Sequence, residues 1–157
     1  MNPGATQLTV MLRLATSAAS AYVGGDDISP HLAWSGAPEA TKSFGLTMWD
    51  PDAPTTVGFT HWLRFDIPVA RASFAAGSNN ERGEWIEGIV DTGVSSYMGM
   101  APPAGDDPHH YIFTIYALDV DSLGIGDKTT YAMFRFQIRD HILDSATVTG
   151  RYSVAPS

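Results

Sequence analysis

Three of the five histidines and two aspartates are the side chains in this sequence best suited to bind or transform a ligand. Asp50 and Asp52 lie in the segment DPDAP, His61 follows it, and His109 and His110 are adjacent further along the chain. Alternate residues of an extended segment point in opposite directions, so the two carboxylates should differ in role. We expect one to face inward and hold neighbouring groups, and the other to accept hydrogen bonds in the loop. The alternative is an ordinary polar turn, because Asp and Pro are common turn residues.

Short alternating stretches predict the strands that position these side chains. The first is residues 43–49, which ends at the two prolines of DPDAP because proline cannot donate to a strand ladder. The second is residues 61–67, where His61, Leu63, Phe65 and Ile67 share a face and Pro68 ends the strand. The third and strongest is residues 111–118, rich in aromatic and β-branched residues.

In the rest of the chain, Gly and Pro residues occur at short intervals and separate further short strands, loops and one helix. We predict a helix capped by Thr129 or Thr130, a strand over residues 146–154, and another over 85–90. Residues 24–25 and 77–83 read as loops, and residues 34–36 as a turn. The helix has apolar residues at three- and four-residue spacing, namely Tyr131, Phe134, Ile138 and Ile142.

Strand parity brings two imidazoles toward one place. His109 has the parity of Tyr111, and His61 begins a strand of inward-facing apolar residues. If the two strands share a sheet, His61 and His109 lie at inward-facing strand ends, with Asp50 able to orient one of them. Such a site hydrogen-bonds a phosphate or carboxylate oxygen, at about 1.5–3 kcal/mol per bond to a charged group. The alternative is that each histidine is a hydrogen-bonded core residue.

A loop without long side chains would form a neighbouring wall. It comprises Gly99, Met100, Ala101, Pro102 and Pro103. A ligand could approach its backbone amides closely; the alternative is a plain irregular loop.

We considered a metal site, but the tight spacings of zinc motifs and a third convergent ligand are missing from the sequence. A serine-hydrolase elbow and a Gly-rich phosphate loop are also missing.

Composition bounds the class of protein. The chain has 157 residues, 44% of them hydrophobic and 17% charged, which is typical of one globular domain. A formal charge of −8 disfavours nucleic acid as a partner, and the lack of cysteine excludes disulfides and thiolate chemistry. No apolar run reaches the roughly 20 residues that span a bilayer. The apolar run near the N-terminus has Arg13 inside it instead of before it, so we expect a cytoplasmic rather than a secreted protein.

Five motifs in one order resemble the phosphatidylethanolamine-binding protein family, specifically its bacterial and archaeal Raf-kinase-inhibitor-like branch. The resemblance covers about residues 27–152. It implies a mainly β fold, an antiparallel β-sandwich with a large central sheet, a smaller sheet and a few peripheral helices. The motifs are Ser29-Pro30-His31-Leu32-Ala33-Trp34, Thr41-Lys42-Ser43-Phe44, DPDAP, His61-Trp62, and the block from Pro102-Pro103 to His109-His110-Tyr111.

The resemblance also implies a pocket that accepts phosphate, acetate or a phosphorylated headgroup, with no catalytic turnover tied to it. By motif position the pocket residues are Asp50, Asp52, Phe59, His61, His109 and Tyr111, lined by the loop Gly99, Met100, Ala101 and Pro102. The chain departs from the family pattern in three places. Phe59 stands where Trp is common, His110 replaces a common Arg, and residues 1–24 lack the usual opening strand. We therefore expect residues 1–24 to be a divergent or flexible segment before a single domain of residues 25–157.

Three functions fit these residues. The first is a non-enzymatic binding protein for a small anion or phosphorylated ligand, with no cofactor and no metal. The second is an inhibitor or scaffold of a protein partner, whose pocket is vestigial. The third is an enzyme that uses a pocket histidine as general acid or base on a small molecule. Exposed aromatic side chains in the loops would allow a homodimer.

Overall fold

The computed structural model describes residues 7–13 and 27–157, and within them two antiparallel sheets and one α-helix. The large sheet has the order β6-β4-β3-β7-β8 and the small sheet the order β1-β2-β5. The predicted mainly β sandwich is therefore confirmed. The elements are β1 Thr9–Arg13, β2 His31–Ser35, β3 Ser43–Asp50, β4 Phe59–Pro68, β5 Ser73–Phe74, a 3-10 turn Ser78–Asn80, β6 Ile86–Glu87, β7 His109–Leu118, α1 Tyr131–Ile138 and β8 Ile142–Tyr152.

Both faces of the large sheet are covered, so its central strands carry apolar residues on both sides. In β3 every residue except Trp49 is buried. One face packs against the small sheet, and the core between them includes Phe44, Met48, Trp62, Tyr111 and Phe113 from the large sheet and Leu32, Trp34 and Phe74 from the small one. The other face packs against α1 through Leu63, Phe65, Tyr116, Leu118, Phe134 and Ile138.

Helix α1 begins where the sequence predicts and ends earlier. The Thr130 side chain accepts a hydrogen bond from the backbone N–H of Met133 at 3.4 Å, which caps the helix. Phe134 presses on β3 at Gly45, where a Cβ would lie 2.5 Å from the ring. The prediction that Ile142 belongs to the helix is wrong. The helix ends at Ile138, and Ile142 begins β8 opposite Leu118, because pairing with β7 satisfies its backbone.

The opening of the chain contributes a strand that the sequence did not indicate. β1 pairs antiparallel with β2, from Thr9 opposite Ser35 to Arg13 opposite His31. The expectation that residues 1–24 lack an opening strand is therefore wrong for residues 7–13. Residues 1–6 and 14–24, with the predicted loop at 24–25, lie outside the described residues, and the division into two segments stays a prediction. The predicted turn at 34–36 is also wrong, since Trp34 and Ser35 end β2.

An irregularity in the pairing of β3 with β4 decides which way the His61 side chain faces. Met48 lies opposite Trp62 and Trp49 opposite Thr60, so His61 is an extra residue with no partner across the ladder. Such a bulge re-aims a side chain. The predicted common face of His61 with Leu63, Phe65 and Ile67 is therefore wrong. His61 lies on the side of Tyr111, at 5.3 Å between ring centroids, whereas Leu63 and Phe65 pack under α1.

A buried ion pair lies at the β4–β6 edge, apart from the histidines. Arg64 is fully buried, its Nε donates to Glu87, and its Nη2 donates to the carbonyl of Ser78 at 2.8 Å. The guanidinium carbon lies 4.6–4.9 Å from the ring centroids of Trp62, Phe74 and Trp85. Aromatic faces favour a cation at this range, so the rings offset part of the cost of burying the charge.

Among the described residues, no helix is long and apolar enough to cross a membrane.

Candidate functional site

A cavity of about 280 Å³ opens where β3 ends and where β4 and β7 begin. Six of the ten predicted site residues line it: Asp50, Phe59, His61, Ala101, Pro102 and His109. Tyr111 lies behind both imidazoles, with its ring centroid 5.3 Å from that of His61 and 6.5 Å from that of His109. Met100 is buried in the core. The structure brings the two histidines and Asp50 to one cavity, as the sequence predicts, while Asp52, Gly99, Met100 and Tyr111 do not line it.

Asp50 is the buried centre of the site and has two separate tasks. Its Oδ2 accepts from His109 Nδ1 at 2.7 Å, and only about 4% of either side chain is exposed. Its Oδ1 accepts from the backbone N–H groups of Asp52 at 2.8 Å and Ala53 at 3.1 Å. The DPDAP segment therefore folds around its own first carboxylate. That carboxylate in turn holds the His109 ring with a hydrogen on Nδ1.

His109 lies between two carboxylates. Its Nδ1 faces Asp50, and its Nε2 lies 3.3 Å from Oδ2 of Asp106. Burial by itself would lower the pKa of His109, but the hydrogen bonds with Asp50 and Asp106 outweigh it and raise the pKa above its ordinary value of 6.5. Both ring nitrogens thus face acceptors, which favours the imidazolium form.

His61 has the opposite character. Its Nδ1 lies 3.1 Å from the carbonyl oxygens of both Met98 and Gly99. A carbonyl can only accept, so Nδ1 carries the hydrogen and the neutral ring has its lone pair on Nε2. Burial lowers the pKa of His61 more than these carbonyls and the negative charges of Asp50 and Asp91 raise it. The two imidazoles of the cavity thus have pKa values displaced in opposite directions, which favours the neutral form of His61 and the charged form of His109.

Tyr111 and Phe59 complete the aromatic surroundings. Tyr111 is fully buried, and burial together with the negative charge of Asp50 raises the pKa of its phenol, which stays protonated. Phe59 is half-buried with its ring centroid 5.1 Å from that of His61. Phe59 therefore contributes an apolar wall, and Tyr111 packs against both imidazoles without adding a charge.

Asp52 lies outside the cavity and fastens the loop. Its Oδ2 accepts from the backbone N–H of His110 and lies 2.7 Å from His110 Nδ1, in a largely exposed pair. The backbone hydrogen bond from His110 is the main cause that lowers the pKa of Asp52. The inward position thus belongs to Asp50, and the loop position to Asp52, which ties DPDAP to the start of β7.

Several further residues lie around the cavity. Ala53, Pro54 and Pro103 line it and belong to segments that the sequence analysis singled out, whereas Thr55 and Met98 line it without having been predicted. Asp106 supplies the second carboxylate to His109, and its one usable sequence signal is its place three residues before His109. Within residues 7–13 and 27–157, no group of three or more His, Asp or Glu side chains could hold a metal ion.

Three larger clefts offer less convergent chemistry, and the smallest of them, about 430 Å³, is lined by Pro108, Arg151, Tyr152 and Ser153. One of about 620 Å³ lies beside Arg71, Glu84 and Trp85 on the far side of the small sheet's edge strand, away from the histidines. Another of about 470 Å³ adjoins the candidate cavity and is lined by Asp52, Asp106, Asp107, Pro108, His109, His110 and Arg151. The cleft beside the candidate cavity therefore carries three carboxylates, together with the cationic Arg151 and the imidazole of His110. The His109 ring is itself flanked by the carboxylates of Asp50 and Asp106.

Comparisons with known proteins agree with this architecture. A family model described as phosphatidylethanolamine-binding protein matches residues 5–153. YbhB of Escherichia coli (strain K12) is 39% identical over 133 residues, which cover 82% of this chain and 84% of that protein. A protein of Aquifex aeolicus (strain VF5) is 39% identical over 130 residues, covering 82% of this chain and 75% of that protein. The crystal structure of Escherichia coli YbcL superposes with a TM-score of 0.82 at 30% identity, covering 96% of this chain and 99% of that one.

Proposed function

The chain belongs to the phosphatidylethanolamine-binding protein family, and we propose that it binds a small anionic or phosphorylated group in the cavity between His61 and His109. The observation that carries this proposal is the Asp50–His109 pair. A buried carboxylate holds one imidazole in its charged, hydrogen-donating form at the wall of an open cavity. An N–H of a charged ring is a strong donor to phosphate or carboxylate oxygen.

The size and lining of the cavity support a small ligand. At about 280 Å³ the cavity lies at the lower end of the range for ligand sites, which suits a phosphate or a short headgroup. The ring of Phe59 and the prolines of the 101–103 loop make one side of the cavity apolar. Bonds between a ligand and a charged donor are stronger in such a partly dry site than in bulk water.

The one hydroxyl that lines the cavity is not activated as a nucleophile. Thr55 is the lining hydroxyl, and it donates to the carbonyl of Gly58 at 2.5 Å, so its hydrogen is already engaged away from any base. A nucleophile needs an adjacent general base.

Titration of inorganic phosphate into the protein, followed by NMR of the imidazole nitrogens, tests the proposal. We expect the His61 and His109 signals to move together and to saturate, while the His141 signals stay still. His141 is a suitable internal control because its Nδ1 pairs with Asp119 at 2.8 Å, outside the cavity. His109→Ala should abolish saturation. If the His61 and His109 signals do not move at phosphate concentrations up to tens of millimolar, the proposal is refuted.

A second candidate is general acid–base catalysis on a small molecule. One observation favours it: the two histidines in one cavity have pKa values displaced in opposite directions, the pattern that assigns a base and an acid. It predicts turnover of at least one compound in a metabolite panel, lost in both His61→Ala and His109→Ala. Phosphate binding without turnover of any panel member favours the binding function.

A further inference from the structure

We propose that β8 of one copy of the chain pairs antiparallel with β8 of a second copy, so that two large sheets join into one continuous sheet across a two-fold axis. The feature that carries this pairing is the outer edge of β8, a strand of 11 residues at the end of the large sheet. No residue of β8 lines the histidine cavity, so the pairing does not depend on the proposed function.

The edges of the two sheets differ in how well they are protected. Edge strands attract other chains because their outer N–H and C=O groups are unpaired, and proteins usually protect them by shortness, by Lys or Pro, or by a bulge. β5 and β6 have two residues each, and β1 has five. β8 contains neither Lys nor Pro, and no strand within residues 7–13 and 27–157 pairs with its outer edge. β8 is therefore the long and unprotected edge of the described fold.

Hydrogen bonds on both sides of β7 show which backbone groups of β8 point outward. The N–H of His110 donates to Asp52, on the β3 side of β7, and every second residue of a strand points its backbone groups the same way. Tyr116 therefore also points toward β3, and its partner Ser145 points its N–H and C=O away from β7. In agreement with this, the Ser145 N–H donates to the carboxylate of its neighbour Asp144 at 2.8 Å. The outward groups are those of four exposed residues, Ser145, Thr147, Thr149 and Arg151.

Two-fold symmetry restricts the register of such a pair. Residues opposite each other in an antiparallel pair share a face, so an axis normal to the sheet pairs only residues that are an even number of positions apart. β8 pairs with β7 without a break from Asp144 to Tyr152, and the one irregularity precedes Asp144. An axis at Val148 is the one that pairs the whole of this regular stretch with itself.

The side chains that this register brings together are compatible. Asp144 and Arg151 are the only charged side chains of the stretch, and neither faces a like charge. Opposed like charges would destabilise the pair, and each chain already carries a formal charge of −8. The half-buried Val148 side chains, which pack on the core between the sheets, gain apolar contact at the axis. The opposed pairs are Val148 with its counterpart, Thr147 with Thr149, Ala146 with Gly150, Ser145 with Arg151, and Asp144 with Tyr152.

Analytical ultracentrifugation of the full chain, at concentrations from about 5 µM to about 1 mM, tests the pairing. Strand addition gives a small interface, so we expect a monomer–dimer equilibrium with a Kd of about 10–100 µM. A monomer at every concentration overturns the inference. A species that grows beyond a dimer also overturns it, because two-fold pairing uses up the free edge of both copies.

Two variants at one position test the backbone contact. Thr147→Pro removes an outward N–H that β7 does not use, whereas Thr147→Val keeps that N–H and the shape of the side chain. We expect Thr147→Pro to weaken the dimer at least about tenfold and Thr147→Val to change its Kd about twofold or less. A Thr147→Pro protein that dimerises as wild type does overturns the inference.

A cysteine cross-link tests the register independently of how well the proline variant folds. The chain has no cysteine, so Val148→Cys introduces one thiol per copy. Val148 forms a pair without hydrogen bonds at the axis, so the two Cα atoms lie about 4.5 Å apart, which allows a disulfide. The two thiols of Thr147→Cys are offset along the strands, with Cα atoms more than about 7 Å apart. Mild oxidation should therefore cross-link Val148→Cys at least about tenfold faster than Thr147→Cys, and equal rates overturn the proposed pairing.

Discussion

Replacing Asp50 with Asn removes the charge that holds His109 while keeping the size of the side chain. In the wild-type protein Oδ1 accepts two backbone N–H groups and Oδ2 accepts the Nδ1–H of His109. Asn has one oxygen and places an NH₂ where the second stood. One of the two sets of donors therefore faces another donor. We expect the backbone amides to keep the hydrogen bonds to that oxygen, because the DPDAP backbone holds them in place. The imidazole of His109 then loses its acceptor.

The magnitude follows from the bond that is lost. A hydrogen bond to a charged group contributes about 1.5–3 kcal/mol, and this one is buried on both sides. We expect Asp50→Asn to lower the free energy of unfolding by about 2 kcal/mol at pH 6. For a chain of this length that is a fall in Tm of roughly 4–8 °C. The pKa of His109 should fall, because the carboxylate whose hydrogen bond and charge raise it is gone.

The pH dependence has a definite sign. The pKa of His109 in the folded protein is raised above its ordinary value of 6.5. Its contribution to stability is therefore fully present below about 6.5 and is lost as the pH rises through the folded value. The stability difference between wild type and Asp50→Asn should be largest near pH 6 and should narrow toward pH 9. Urea unfolding at a series of pH values measures that difference, and NMR titration of the imidazole nitrogens measures the pKa.

The chain offers a matched control in Asp52→Asn. Asp52 also lies 2.7 Å from a histidine Nδ1, that of His110, but 41% and 43% of the two side chains are exposed. Solvent screens such a pair, so the variant should lose no more than about 1 kcal/mol. Equal losses in the two variants, or an unchanged pKa of His109 in Asp50→Asn, would refute the reasoning from burial and charge.

Three further changes test other parts of the structure. The lowered pKa of Asp52 contributes stability that is fully present above its ordinary value of 3.8 and is lost as the pH falls through the folded value. The difference in urea midpoint between wild type and Asp52→Asn should therefore be constant from pH 7 to pH 5 and narrow as the pH falls below 3.8. A difference that grows on acidification contradicts this. Gly58 has φ of 73°, and a Cβ there would lie 2.6 Å from the Asp50 carbonyl oxygen. Gly58→Ala should therefore lower the free energy of unfolding in urea by at least about 1–2 kcal/mol and weaken phosphate binding, and an unchanged urea midpoint contradicts this. Arg64→Met leaves the Glu87 carboxylate buried without its partner and should lower the free energy of unfolding by about 3–5 kcal/mol. The double variant Arg64→Met/Glu87→Leu should recover more than half of that loss, and equal losses in the two variants would mean that the unpaired charge is not the cause.

The strands that carry the site could be predicted because their signals are local. Prolines in DPDAP and at Pro68 mark the ends of β3 and β4, and the aromatic run after His110 marks β7. The period of two within β7 also places Tyr111 in the core under the small sheet and Tyr116 in the core under α1. Local sterics and the period of two set these features, and neither depends on the rest of the fold.

The features that went wrong depend on partners distant in sequence. β1 forms only because β2 lies beside it, and Ile142 pairs with Leu118 although its spacing suits the helix. The bulge at His61 arises from the register between β3 and β4, which no pattern within β4 reveals. Register is a property of two strands together, and one extra residue turns every later side chain to the other face.

By itself, the sequence determined which groups are available: two histidines, one inward carboxylate and a loop of small residues, on strands whose ends the prolines set. Only the tertiary structure decided what those groups are chemically. The carbonyls of Met98 and Gly99 fix the hydrogen of His61, and Asp50 with Asp106 fixes the charge of His109. The protonation state of a histidine depends on burial and on the acceptors at each nitrogen, and the chain brings these together only when it folds.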